Sequence, residues 1–394
     1  ATLSPLWTLS ATAHYTHGYG YYDEFKPSCA LSKFGIVADD PSDLVRQKGV
    51  RQDVGGLVAH AAYRHGRWEG ILGGSAQVFG ARHFGHLTYL AAPALSNLLD
   101  AGPYTYYTST AHKADISFYG KGTWHAAPHW DIYLDMQYRH IRYALTGHND
   151  KFLTQSDGTL LPQRLDILRH YEFFNPKAGI TYHADAHTIY LSTAVSHREP
   201  ERNNFTDNGS YPAPQAESLY DTEAGYTFRH DRLHLSLNAY WMHYRNQFVQ
   251  TGALSDIGEL LTTNIRSSYR LGLELAATYT LTPWLTPEAN AAVSRNRIKD
   301  FTEHIEDWDA ASGFTTQHYR RSTLAFSPTL TANAFADFHH KRWSATWHTA
   351  AVSRQYLDNT ACKERSLAPY TFSDLRIGYK IPLRTRPNRS PNLS

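Results

Sequence analysis

The chain has 394 residues, with 38 Lys and Arg against 36 Asp and Glu and a formal net charge of +2. That balance gives no sign of a nucleic-acid binder. With a mean hydropathy of −0.50, no run approaches the roughly 18 apolar residues of a transmembrane helix. A membrane β-barrel stays open, because its strands are half polar and score low on hydropathy. The length suits two or three soluble domains or one large closed structure.

Read in chain order, helix-period segments are nearly absent and period-two alternation recurs. An opening strand is expected near residues 7–18. Tight turns follow at HGR (65–67), APH (127–129), ADA (184–186), HDR (230–232), TPW (282–284) and HKR (340–342). Ile132, Leu134 and Met136 alternate with Asp131, Tyr133, Asp135 and Gln137. Ile189, Leu191, Thr193 and Val195 alternate with Tyr190, Ser192 and Ala194. Leu233, Leu235, Leu237, Ala239 and Trp241 alternate with His234, Ser236, Asn238 and Tyr240. This is the strand signature.

In YRLGLELAATYTL (269–281), Leu271, Leu273 and Leu275 share a face bounded by Tyr269 and Tyr279. Arg270, Gly272 and Glu274 take the other face. Ten residues at about 3.3 Å each, tilted by roughly 40°, span about 25 Å along a membrane normal, the height of a barrel's apolar band. Leu271, Leu273, Leu275, Leu233, Leu235 and Leu237 are therefore expected to face lipid, and Arg270 and Glu274 a lumen.

Between the tight turns lie long polar stretches, at 85–112, 146–171, 199–217, 250–262, 300–318 and 356–370. With a closing strand near 370–381 the count is about 14 strands of ten or more residues, joined alternately by short and long connections. That is the layout of an outer-membrane barrel, all-β and antiparallel. The chain divides into a barrel portion, 1–381, and a tail, 382–394, read as disordered or as a truncation scar.

Nothing in the pattern points to catalysis. No nucleophile–base pair or phosphate loop is visible, and the carboxylates are dispersed, so no enzymatic centre is expected. The 23 histidines are scattered, several at turns (His65, His129, His187, His230, His339, His340), and suit polar surface better than a metal site. Cys29 and Cys362 lack metal-binding spacing. Both map to long loops, where a disulfide is permitted, and whether the two approach stays open.

Five ordered motifs carry more information. Asn175, Pro176, Lys177, Ala178 and Gly179 open a strand, and the next strand ends in His197, Arg198, Glu199 and Pro200. Glu217 and Tyr220 precede Glu223 and Gly225. Tyr240–Tyr244 is aromatic-rich. Asn264 precedes Gly272 and Glu274. The region 357–379 looks like a late-barrel segment. The set resembles TonB-dependent outer-membrane receptors over most of the chain, although Pro214 and Glu217 are separated where that family often has Pro-Glu.

The resemblance implies a barrel of 22 strands enclosing a plug domain. It also implies a Gram-negative outer membrane, its lipid, and a TonB energy-coupling partner. The implied ligand is a small metal chelate, most often a ferric siderophore, with haem and cobalamin as rivals. No intrinsic cofactor is implied, the cargo itself carrying iron or cobalt. By the same analogy the plug and about eight strands are missing, leaving an incomplete barrel portion. Ligand contacts are expected in extracellular loops, at His17, Tyr19, Tyr21 and Tyr22 and at His197, Arg198 and Arg202, since the guanidinium fork suits carboxylates and catecholates. The competing reading makes the tyrosines girdle packing and pairs Arg198 with a lumenal carboxylate. Pro200 reads as a strand terminator. Two other classes stay open, a passive porin-like channel and a secreted β-rich adhesin or glycan-binding protein.

Overall fold

Alternating sequence and positive-φ turns together dictate a meander of antiparallel strands. The computed structural model describes residues 2–154, 157–207, 211–254, 260–306, 309 and 314–381. The tail 382–394 lies outside the described residues. Its strands are β1 (Trp7–Cys29), β2 (Ser42–His65), β3 (Trp68–Leu90), β4 (Tyr104–Ala127), β5 (Trp130–Thr154), β6 (Leu160–Ala184), β7 (His187–Arg198), β8 (Glu217–His230), β9 (Leu233–Leu254), β10 (Leu260–Tyr279), β11 (Leu285–Glu306), β12 (Phe314–Thr323), β13 (Leu330–His340), β14 (Trp343–Val352), β15 (Gln355–Tyr356), β16 (Ser366–Leu367) and β17 (Tyr370–Tyr379). One short helix, α1 (Arg202–Thr206), follows β7. Among the described residues no helix is long and apolar enough to cross a membrane, which says nothing about strands.

Fourteen strands follow one path, β1 to β11 in sequence and then β13, β14 and β17. β12 pairs with β11 off this path, and β15 with β16 apart from it. All six expected tight turns are present. Asp185 (φ 45), Asp231 (φ 41) and Lys341 (φ 52) open two-residue links, where the right-handed twist of the strands favours positive φ and Asp tolerates it.

The strands are much longer than ten residues: β1 has 23, β4 24 and β5 25. Strand pairing invades the polar stretches 85–112, 146–171, 250–262 and 300–318, which were expected to be loops. Two consequences correct the sequence reading. His17, Tyr19, Tyr21 and Tyr22 lie inside β1, not in a loop, and Cys29 is its last residue. Cys29 and Cys362 are both free thiols.

The chain forms two compact units, one of residues 1–126, 131–178 and 195–202, the other of 127–130, 179–194 and 203–394. In the first, register builds rows across β1, β2, β3 and β4. Trp7 pairs with Tyr63, Leu9 with Ala61 and Leu72, Ala13 with Leu57, Ala76 and Ile116, and Tyr15 with Gly55, Val78 and Ala114. These rows form one apolar face, and it is exposed, Leu72 to 66%. The buried apolar residues lie instead at the long-connection end, where Leu31, Phe34, Ile36, Leu44, Leu87, Leu90, Tyr106 and Tyr107 cluster. An apolar cluster of the second unit, Val249, Ile265, Ile298, Phe301 and Leu324, involves residues from the same end of their strands.

In the second unit Leu271, Leu273 and Leu275 are about half exposed, as their places in alternation require. Leu237 lies beside Leu275 in register, and Leu233 and Leu235 continue that face half-buried. On the opposite face tyrosine rings lie over glycines of the neighbouring strand. A Cβ on Gly225 would meet Tyr190 at 2.0 Å, and one on Gly272 would meet Tyr240 at 2.4 Å. The missing side chain is the room the ring occupies.

Gly272→Ala is expected to destabilise the folded protein by about 1–3 kcal/mol through displacement of Tyr240. In a Tyr240→Ala background the same change should cost almost nothing. Denaturant titration of the four proteins in lipid or detergent completes the cycle, and equal costs in both backgrounds would contradict the packing account.

Candidate functional site

The expected ligand residues separate onto different faces, because neighbours along a strand point opposite ways. Tyr19 and Tyr21 are exposed on the apolar side of β1, and His17 shares their face, its Nδ1 2.8 Å from Asp53 Oδ1. Tyr22 points to the other, polar face. Its hydroxyl is buried with no hydrogen-bond partner among the described residues. His197 also lies on the polar side. Its ring stacks on Phe173 at 5.2 Å, and Nδ1 approaches Asn175 Oδ1 at 2.8 Å. Arg198, one residue on, is exposed. Arg202 opens α1 and donates to Ser109 Oγ at 3.3 Å. Thus Tyr22, His197 and Arg202 belong to the polar face, and His17, Tyr19 and Tyr21 do not.

The upper polar face of the first unit gathers more groups than sequence reasoning found. Tyr22 pairs in register with Lys48, and Glu24 with Arg46. Arg46 donates to Glu24 Oε2 from Nε at 2.7 Å and from a terminal nitrogen at 2.6 Å, and Lys26 also reaches Glu24. Lys48 Nζ donates to Asp150 Oδ2 at 2.5 Å. Tyr107 lies within electrostatic reach of Asp150, Lys48, Arg202 and Tyr22, and His83 within reach of Arg202. The Tyr106 hydroxyl is a second buried phenol without a hydrogen-bond partner among the described residues. Among the described residues, Lys26, Arg46, Lys48 and Arg202 gather here with Glu24, Asp150 and the phenols of Tyr22, Tyr106 and Tyr107. The cluster is basic and phenol-rich.

Further along the same face is a four-residue ion network. Arg139 donates to Asp115 through Nε at 3.0 Å and a terminal nitrogen at 2.5 Å, and to both Glu199 oxygens at 3.1 Å. Lys113 also donates to Glu199. Burial pushes the Glu199 carboxyl up, but Lys113 and Arg139 hold it below the usual carboxylate range. The sequence reading named Glu199 only within a strand-end motif and missed its ion network, because its partners stand 86 and 60 residues away.

In the second unit the motif residues act as braces. Asn264 accepts from the Gln215 N–H at 2.8 Å and donates to the Asn246 carbonyl at 2.6 Å. Asn246 is itself at positive φ (51°). Glu217 accepts the Phe248 N–H at 2.7 Å. Asn238 links Tyr190, at 2.9 Å, to Glu274, at 3.4 Å. Arg270 donates to Ser327 Oγ at 3.4 Å. No group of three or more metal-ligating side chains occurs among the described residues.

A family model described as TonB dependent receptor-like, beta-barrel, matches residues 2–393. Among solved structures, the copper transporter OprC aligns with a TM-score of 0.70 at 16% identity, covering 96% of this chain and 57% of that one. The siderophore receptor PiuA from Acinetobacter baumannii aligns at 0.65 and 14% identity, covering 96% and 56%. The ferric yersiniabactin uptake receptor FyuA from Yersinia pestis aligns at 0.62 and 15% identity, covering 95% and 52%. The chain therefore spans little more than half the length of these structures. A search of curated proteins finds no match. The half-polar strands, the alternation of short and long connections and the whole-chain family match together establish that this chain belongs to the TonB-dependent receptors, as part of their β-barrel.

Proposed function

We propose that the chain is the barrel portion of a receptor in a Gram-negative outer membrane that imports a ferric siderophore with energy delivered through TonB. The observation that carries the choice of ligand is the basic, phenol-rich cluster on the polar face. Arg46 and Lys48 stand there with Tyr22, whose hydroxyl has no hydrogen-bond partner among the described residues, and Arg202 shares with Tyr22 the neighbourhood of Tyr107. An anionic chelate offers carboxylate or catecholate oxygens, and guanidinium and phenol groups donate to both. The similar structures include a siderophore receptor and a ferric yersiniabactin uptake receptor, and a copper transporter is a third. On this reading the polar face lines the lumen and the apolar face meets lipid. A plug domain and the TonB complex act together with the barrel in the intact receptor.

The test is growth of a receptor-deleted strain expressing the intact receptor, on a panel of ferric siderophores, haem, cobalamin and copper. Rescue by a ferric siderophore that also requires TonB is the expected outcome. Rescue by haem, cobalamin or copper alone would overturn the ligand, and rescue without TonB would point to a passive channel. Arg202→Gln should weaken binding of the rescuing siderophore roughly tenfold, the loss of one charge-assisted hydrogen bond.

Face assignment has its own test. Leu273→Arg should cost about 2–4 kcal/mol of folding free energy in bilayers, as a charge placed at midplane on a lipid face does. Glu274→Gln, on the opposite face, should be far milder. Equal penalties in equilibrium folding into vesicles would refute the assignment.

A further inference from the structure

Arg51 and Arg82 are directly opposed across β2 and β3, on the apolar side of the first unit. Both are exposed. Like charges directly opposite one another in a sheet repel, and a carboxylate between them is the ordinary remedy. Here neither guanidinium makes an ion pair among the described residues. The acid in the adjacent row of that face, Asp53, has its Oδ1 engaged by the Tyr15 hydroxyl at 2.6 Å and His17 Nδ1 at 2.8 Å, and acts on Arg51 only through space. Arg51 lies over the Tyr19 ring at 5.5 Å, which holds its side chain without neutralising it. Thr110, the partner of Arg82 on β4, adds a hydroxyl to the row. Tyr19, Arg51, Arg82 and Thr110 therefore form a continuous cross-strand row of one ring, two cations and one hydroxyl.

The height of this row decides what it meets. Tyr19 stands twelve residues beyond Trp7, the aromatic that pairs with Tyr63 near the short-turn end. That is about 40 Å of strand, or about 30 Å along the normal at roughly 40° of tilt, just past an apolar band about 25 Å tall. Between the two levels the face carries Leu9, Leu57, Leu72, Val78 and Ile116. Two guanidinium groups without an ion-pair partner immediately above an apolar band coincide with the headgroup layer, whose phosphates they match in charge and geometry.

We propose that Arg51 and Arg82 form a binding site for the phosphate-bearing headgroup of a membrane lipid, with Tyr19 and Thr110 completing it. The inference rests on the reading that the apolar face meets lipid. The acyl chains lie along Leu57, Leu72 and Val78 while the phosphate bridges the two guanidinium groups and relieves their repulsion.

The test uses the whole chain in mixed detergent micelles, with energy transfer from its tryptophans to dansyl-labelled phosphatidic acid or dansyl-labelled phosphatidylcholine. The phosphatidic acid should bind more tightly, and Arg51→Gln/Arg82→Gln should remove about thirtyfold of that preference, the worth of two surface cations. Arg51→Lys/Arg82→Lys should keep most of it. Unchanged circular dichroism of the Gln pair is expected, since its removal relieves repulsion, and keeps loss of folding apart from loss of the site. An equal preference in wild type and the Gln pair would overturn the proposal. Abolition of the preference by excess inorganic phosphate would overturn the lipid as occupant and leave a free-anion site. A nitroxide on Leu72→Cys separates the two levels. If oxygen broadens its spectrum more than a nickel chelate does, the face meets lipid and a failed preference sinks only the headgroup site. The reverse order of broadening sinks the membrane reading itself.

Discussion

The peptide group's demand for a hydrogen-bond partner governs this molecule. In hydrocarbon there is no water to supply one, so each N–H and C=O must be satisfied by the protein itself, and strands succeed only when paired on both sides. That demand explains the consecutive pairing of β1 through β11. It also explains the composition. A paired strand presents alternate residues to opposite faces, so each spanning segment must be half apolar and half polar, and a mean hydropathy of −0.50 is compatible with membrane residence. The apolar clusters lie at the long-connection end, where the connecting segments fold over them, as Phe34 does against Tyr106 at 5.0 Å.

Once backbone pairing is fixed, side chains must solve local problems in the same register. Two rings and two glycines show how. Tyr190 and Tyr240 lie flat over Gly225 and Gly272 of the next strand, and both hydroxyl ends reach polar neighbours, Tyr190 to Asn238. Asn264 holds the carbonyl of Asn246, where a positive φ interrupts regular geometry. These are the residues by which the family is recognised, and their work is structural. A motif of braces identifies an architecture, and Tyr22, Lys48 and Arg202, on which the proposed ligand choice rests, lie outside it.

Turns were legible in the sequence because their chemistry is local. A residue tolerant of positive φ between two alternating runs announces a two-residue link, as at Asp185 and Asp231. The far ends of the strands were not legible. Beyond the apolar band both faces are polar, so the period-two contrast that marks a strand vanishes although pairing continues, as in β5 through Thr154. The stretch from His17 to Tyr22, expected in a loop by resemblance, is another such strand segment. Its ligand-binding candidates were read as one group, and alternation divided them. The ion network of Glu199 was invisible for another reason. A network assembled from β4, β5 and the end of β7 leaves no trace in any window shorter than the 86 residues separating it from Lys113.

The arginines show what each face requires of a charge. On the polar side of the first unit Arg46 has Glu24 and Arg139 has Asp115 and Glu199, and in a connecting segment of the second unit Arg365 has Glu303 and Asp358 at 2.8 and 2.9 Å. A guanidinium half-buried among protein groups loses hydration, and a carboxylate must replace it. Arg51 and Arg82, exposed on the other side, make no ion pair among the described residues, and on the proposal above their counter-charge lies outside the protein. On that proposal one rule of solvation, applied on the two faces of the first unit's strands, accounts for the paired Arg46 and Arg139 and for the unpaired Arg51 and Arg82.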